Sequence, residues 1–70
     1  MTKQVEWYYF FEEETSTIWY TNNEEVHPQE MVFLGSSLNP NNRMTASVMV
    51  RKQMDIDFNY KVKQLNGTLG

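Results

Sequence analysis

The chain contains no cysteine and only one histidine, which excludes disulfide bonds and a Cys/His zinc site. No apolar run approaches the roughly 18 residues that a membrane-spanning helix needs, and no apolar leader follows Met1. The three glycines are scattered, so the sequence has no phosphate-binding loop of clustered glycines. We therefore expect a soluble, cytoplasmic protein without a membrane partner.

The length of 70 residues allows one domain, spanning 1–70. A chain of this size buries only about 60% of the surface that its unfolded state exposes, so its stability is marginal. Small domains commonly compensate with disulfides or a structural metal, and both are missing here. Stability is expected to come from the burial of aromatic side chains or from a partner.

Charge is divided unequally along the chain. Residues 1–42 carry Lys3 against seven glutamates, a net charge of −6, while residues 43–70 carry five basic residues against two aspartates, a net charge of +3. The halves are expected to attract each other within the fold or across a dimer. The alternative is that the acidic half binds a basic partner.

Two β-rich runs near the start of the chain predict a hairpin. Aromatic and β-branched side chains dominate residues 4–13, residues 13–16 form a polar break, and residues 17–21 are the second run. A turn with an even number of residues sets the cross-strand pairing, whereas an odd turn would swap the faces of the second strand. The predicted pairs are Phe11 with Ile18, Tyr9 with Tyr20, and Phe10 with Trp19.

Both faces of this hairpin are aromatic, although a strand with one buried face needs apolar side chains only at alternate positions. The predicted core face carries Val5, Trp7, Tyr9, Phe11, Ile18 and Tyr20. The opposite face carries Tyr8, Phe10 and Trp19, set among Glu6, Glu12, Thr17 and Thr21. The second set is the candidate contact surface.

The middle of the chain predicts one further strand and a long loop. His27-Pro28 favours an extended backbone before the apolar run 31–34, which is typical of a short buried strand. Residues 35–42 are rich in glycine, serine, asparagine and proline and are expected to form the longest loop.

The last third of the chain has a period of two. Apolar residues fill the even positions from Ala46 to Val62, with Lys52 as the one interruption, and this alternation predicts strands at about 45–51 and 55–64. The alternative is a helix over about 42–54 behind an asparagine cap, although several residues there are poor helix formers. In that helix Ala46, Met49, Val50 and Met54 would share one face.

These elements predict an all-β fold, a single small domain of four or five antiparallel strands in meander order. Without a helix, the sheet would have to curl into a small barrel or a strongly curved sheet to cover its own apolar face. The alternative is an α+β fold with a short helix near 42–54.

No set of residues forms a recognisable catalytic or metal site. His27 lies among three nearby glutamates, but the segment contains proline and lacks a second histidine and any usual ligand spacing. Asp55 and Asp57 would share a strand face, yet basic and amide side chains on that face indicate a solvated, salt-bridged edge. No serine lies in a nucleophile motif. We therefore expect a non-enzymatic protein without catalytic residues, cofactor or metal.

Binding is the function that the sequence favours. Tyrosine and tryptophan are preferred anchors of protein interfaces, and an aromatic cluster ringed by glutamates suits a basic surface on another protein. A homodimer that buries two such clusters against each other fits equally well. So does a fold in which the C-terminal strands or the loop 39–42 cover the cluster within one chain. The predicted partner-binding residues are Tyr8, Phe10, Glu12, Glu13, Glu14 and Trp19.

The alternative partner is single-stranded nucleic acid. Tyr8, Phe10 and Trp19 could stack on bases beside Arg51, Lys61 and Lys63. The hairpin glutamates weigh against it, because they would repel the phosphate backbone. The composition also resembles that of short accessory proteins of bacteriophages and mobile elements, which bind and modulate a host protein.

Overall fold

The computed structural model describes residues 4–54 and 59–69, which form four strands and one helix. The elements are β1 (Trp7–Glu12), β2 (Thr17–Thr21), β3 (Val32–Ser37), α1 (Asn42–Met54) and β4 (Lys61–Gln64). The strands form one mixed sheet in the order β3-β1-β2-β4, in which β4 runs parallel to β2 and the other neighbours are antiparallel. The predicted small domain with a four-stranded sheet is confirmed, but the sheet is not closed into a barrel and is not an all-antiparallel meander. Because of α1 the fold is not all-β, and it partly fits the alternative α+β prediction.

The predicted hairpin is confirmed with its register. Phe11 pairs with Ile18, Tyr9 with Tyr20, and Phe10 with Trp19. The turn spans residues 13–16, an even number, and the Ser16 amide donates to the Glu13 carbonyl at 3.2 Å.

The strand predicted over residues 45–51 is wrong, because these residues belong to α1. The helix begins after an asparagine cap, where the Met44 amide donates to Asn41 Oδ1 at 3.1 Å. Ala46 and Val50 lie one turn apart and are both fully buried. Their burial against the sheet outweighs the weak helix propensity of Thr45 and its neighbours, since packing provides most helix stability in proteins.

The hydrophobic core lies between α1 and one face of the sheet, here called the helix face. Tyr9 is fully buried, and its hydroxyl group donates to Asn42 Oδ1 at 2.5 Å, which ties the start of α1 to the middle of β1. Val5 was predicted for this face but is 48% exposed, ahead of the first strand. The buried cluster comprises Tyr9, Phe11, Ile18, Leu34, Ala46 and Val50, with Trp7, Tyr20, Met49, Met54, Tyr60 and Val62 packed against it.

The predicted buried strand at 31–34 is shifted and lies at an edge of the sheet. Val32 and Phe33 are more than half exposed, and only Leu34 is buried. The pairing of β3 with β1 has a bulge there, followed by Gly35 with φ of +139°, which side-chain-bearing residues rarely adopt. The side-chain amide of Gln53, near the end of α1, donates to the Leu34 carbonyl.

The predicted C-terminal strand over 55–64 corresponds in part to β4, Lys61–Gln64. Its first part, with Asp55 and Asp57, lies outside the described residues. The even residue Val62 lies beside Ile18 on the helix face, while Lys61 and Lys63 lie beside Thr17 and Trp19 on the opposite face. The predicted period of two therefore holds within β4.

The two connections that pass across the sheet lie on opposite faces. Residues 22–31, here called the crossover, lead from β2 past β1 to β3, and α1 leads from β3 back past β1 and β2 to β4. Parallel strands are joined almost always by right-handed connections, so two connections that travel in opposite directions use opposite faces. Since α1 packs on the helix face, the crossover passes over the face that carries Phe10.

Candidate functional site

The face of the sheet opposite α1, here called the second face, holds the predicted contact residues. Alternation along the strands assigns to it Tyr8, Phe10 and Glu12 of β1, Thr17 and Trp19 of β2, Phe33 of β3, and Lys61 and Lys63 of β4. The structure thus brings Tyr8, Phe10, Glu12 and Trp19 onto one surface, as the hairpin register predicts.

Phe10 is only 5% exposed, which makes it a packing residue rather than a contact residue. Its ring lies against Phe33, with ring centroids 5.4 Å apart and planes tilted by 49°. Trp19 is its cross-strand partner in β2, and the right-handedness of such connections places the crossover over this face of the sheet. Phe10 therefore offers a partner little accessible surface.

Trp19 is half-buried and is held in place by Glu12. The indole Nε1 donates to Glu12 Oε1 at 3.1 Å, and the Thr15 hydroxyl donates to the same oxygen at 2.6 Å. Both hydrogen bonds lower the pKa of the Glu12 carboxyl group below its ordinary value. The bond from Thr15 has the larger effect and the bond from Trp19 the smaller. The carboxylate therefore orients the indole ring as well as contributing charge.

Four carboxylates meet at the hairpin end of the second face. Glu12, Glu13 and Glu14 line a shallow hollow together with Glu30, the penultimate residue of the crossover. Glu13, Glu14 and Glu30 are exposed. The sequence predicted the first three of these residues as contacts, but it contained no signal that Glu30 would join them.

A second, larger hollow lies at the start of β1, and we call it the acidic groove. Tyr8 is half-buried in it, and its hydroxyl group donates to Glu6 Oε1 at 3.2 Å, while the Ser36 hydroxyl donates to Glu6 Oε2 at 2.7 Å. Desolvation raises the pKa of the Tyr8 phenol, and the negative charge of Glu6 raises it further. The groove is lined by Gln4, Val5, Glu6, Tyr8, Asn22, Asn23, Glu24, Glu25, Leu38 and Leu69.

Hydrogen bonds hold the C-terminal segment against the start of the crossover. Asn22 and Leu69 exchange two bonds, from Nδ2 to the carbonyl at 3.0 Å and from the amide to Oδ1 at 2.7 Å. Asn23 Nδ2 donates to the Gly67 carbonyl at 3.0 Å. Gly67 has φ of +92°, and a Cβ there would lie 3.3 Å from Val26 Cγ2. These contacts place Leu69 in the groove, more than 60 residues from Val5 in sequence, so no local pattern could have predicted the site.

The side chains that line these hollows determine what each hollow can contact. Among residues 4–54 and 59–69, no three histidine, cysteine or acidic side chains are arranged to hold a metal ion. Across the same residues, α1 is too short and too polar to cross a membrane. The groups that the groove offers a ligand are carboxylates, amides, one phenol and aliphatic side chains.

Comparison with known proteins identifies no relative of this fold or site. No family model matches the chain, and neither a curated protein nor a solved structure is similar to it.

Proposed function

We propose that the chain is a non-enzymatic module that binds a basic segment of another protein in the acidic groove. The segment would lay aliphatic side chains on the groove floor and direct lysine or arginine side chains to its rim. The glutamates at the hairpin end lie about 13 Å further along β1, measured from Tyr8 to Glu12, and would extend the attraction to a longer segment.

The observation that carries this proposal is the clustering of exposed apolar side chains in the groove. Val5, Leu38 and Leu69 are 48%, 53% and 60% exposed, and all three line the same hollow. Scattered apolar residues on a surface need no explanation, but several gathered in one concave site mark a binding surface.

The charge around these side chains determines the kind of partner. Glu6, Glu24 and Glu25 surround the groove, and among residues 4–54 and 59–69 its lining contains no lysine or arginine. Opposite charges across an interface speed up association and exclude partners of the wrong sign. A cationic segment with alternating aliphatic residues is therefore the complementary ligand.

A synthetic peptide of alternating leucine and lysine provides the test. Its binding is measured by fluorescence anisotropy against a peptide in which glutamate replaces every lysine. We expect saturable binding of the lysine peptide only, weakened about tenfold by Glu24→Lys combined with Glu25→Lys, because two favourable contacts become repulsive. Leu38→Ser should weaken binding without changing its dependence on salt.

The matched control is Glu13→Lys combined with Glu14→Lys, which makes the same change in net charge at the hairpin end. Equal loss of affinity in both double variants would show that the peptide responds to total charge, and the groove proposal would then be wrong. Absence of any saturable binding of the lysine peptide would also contradict the proposal.

Single-stranded nucleic acid is a second candidate because of one observation on the second face. Lys63 pairs with Trp19 and Lys61 with Thr17, so an indole ring and two lysines are neighbours. The Glu12 carboxylate accepts a hydrogen bond from the same indole, and its negative charge would repel a phosphate backbone. An oligothymidylate added to the same assay separates the candidates. Binding that falls steeply with salt and is weakened by Lys63→Ala would favour nucleic acid over the protein ligand.

A further inference from the structure

The Glu6 carboxylate, which lines the acidic groove, is held in place by two neutral donors. The Tyr8 hydroxyl donates to Oε1 at 3.2 Å, and the Ser36 hydroxyl donates to Oε2 at 2.7 Å. Tyr8 and Ser36 are paired residues in the register of β1 with β3, so the sheet fixes the positions of both donors. Since each oxygen receives one of these hydrogen bonds, the carboxylate is oriented before any ligand arrives.

These two hydrogen bonds leave the Glu6 carboxylate its charge and part of its capacity to accept. A carboxylate has about four lone-pair positions on its two oxygens, and a hydroxyl donor neutralises no charge. Glu12 differs, because Thr15 and Trp19 both donate to the same oxygen, Oε1. Glu6 therefore offers a cation two oriented oxygens, each with an acceptor position left.

The Tyr8 ring is half-buried next to this carboxylate and lines the same groove. Desolvation raises the pKa of the Tyr8 phenol, and the negative charges of Glu6 and then Glu24 raise it further, so the hydroxyl group stays protonated and continues to donate at neutral pH. An arginine guanidinium stacks on aromatic rings and pairs with a carboxylate through two parallel hydrogen bonds. A lysine ammonium is a compact charge that gains no second parallel bond from an oriented carboxylate.

We propose, as an inference that rests on the proposed function, that the acidic groove selects arginine over lysine in the basic segment that it binds. One guanidinium group pairs with both oxygens of Glu6 and lies against the Tyr8 ring. The aliphatic stem of the same arginine covers Val5 and Leu38, which are exposed in this hollow. Because the carboxylate is already oriented, little side-chain entropy is lost on its side when the pair forms.

Fluorescence anisotropy with two peptides of equal length and charge tests this proposal. One peptide alternates leucine with arginine and the other alternates leucine with lysine. We expect the arginine peptide to bind about tenfold more tightly. Glu6→Gln should weaken the binding of both peptides and abolish the preference for arginine. Ser36→Ala keeps the net charge but releases one oxygen of Glu6, so it should reduce the preference and leave the affinity for the lysine peptide unchanged.

The matched control is Glu25→Gln, which removes the same charge from another residue that lines the groove. Glu25→Gln should weaken the binding of both peptides by the same factor and preserve the preference for arginine. Circular dichroism of each variant checks that it folds.

Three results would overturn the arginine proposal. They are equal affinity for the two peptides, a preference that survives Glu6→Gln, and a preference that Glu25→Gln abolishes as completely as Glu6→Gln does. In each case saturable binding of the lysine peptide would leave the proposed function standing. If neither peptide binds saturably, both proposals are wrong.

Discussion

The two faces of the sheet are covered by different kinds of structure and are buried to different extents. On the helix face, Tyr9 and Ile18 are fully buried beneath α1. On the second face, which is crossed by residues 22–31, Phe10 is buried, whereas Tyr8 and Trp19 are half-buried and Phe33 is exposed. Aromatic side chains are present on both faces, so composition does not explain the difference.

We attribute the difference to the kind of cover that lies on each face. An α-helix satisfies its own backbone and places side chains at regular intervals against the sheet. The crossover contains local turns, in which the Val26 amide donates to the Asn23 carbonyl at 3.1 Å and the Met31 amide to the Pro28 carbonyl at 3.3 Å, and only its first two residues bond the C-terminal segment among the bonds described above. A segment of this kind covers the centre of a face and leaves its borders partly exposed.

The largest expected effect is that of Phe11→Ala on the helix face. Phe11 is 7% exposed and meets Tyr60 edge to face at 5.1 Å, so its removal leaves a cavity that α1 and the sheet cannot close. We expect a loss of about 3–5 kcal/mol in the free energy of unfolding. Urea denaturation measures this loss in the free energy of unfolding, with Phe11→Leu as the milder control. A loss below about 1 kcal/mol would contradict rigid packing on this face.

Phe10→Ala provides the matched comparison on the second face. Phe10 is the neighbouring residue, has the same side chain and is 5% exposed. Because the crossover can move into the space that the ring leaves, we expect a loss of about 2 kcal/mol, below that of Phe11→Ala. The same urea experiment measures it. Equal losses for the two variants would show that both covers are equally rigid.

The smallest expected effect on stability is that of Trp19→Phe, and this effect depends on pH through the ionisation of Glu12. The lowered pKa of Glu12 stabilises the fold at pH values above its ordinary value of 4.5, and this contribution is lost as the pH falls through the lowered pKa. Removing the indole donor moves the pKa of Glu12 back toward its ordinary value, while the bond from Thr15 remains. An NMR titration of the Glu12 carboxyl group should show this rise. An unchanged pKa would contradict the role given to Trp19.

The sequence predicts the hairpin well because the information that determines it is local. The alternation from Trp7 to Thr21 and an even turn are enough to define the register, which the structure confirms. The same local logic fails for α1, where Ala46, Val48 and Val50 alternate as in a strand. Only the presence of a sheet face to cover makes the helix more favourable, and that face is formed by residues distant in sequence.

The candidate site could be predicted only in part, for the same reason. Tyr8, Glu12 and Trp19 lie together on the second face because neighbouring strands bring them together. The acidic groove depends on Leu38 after β3 and on Leu69 after β4. Their positions follow from the order of strands in the sheet, which sequence periodicity does not encode.

The parallel pairing of β4 with β2 also governs when the fold can be completed. Thr17 pairs with Lys61, so one side of β2 stays open until β4 has been synthesised. The hairpin of β1 and β2 is synthesised before the crossover, and the crossover before α1. The aromatic helix face therefore stays exposed until α1 has been synthesised. Contacts between residues so distant in sequence form slowly, and an exposed aromatic hairpin is prone to aggregate. The vulnerable period therefore ends in two steps, in which α1 covers the aromatic face and β4 then closes the open side of β2.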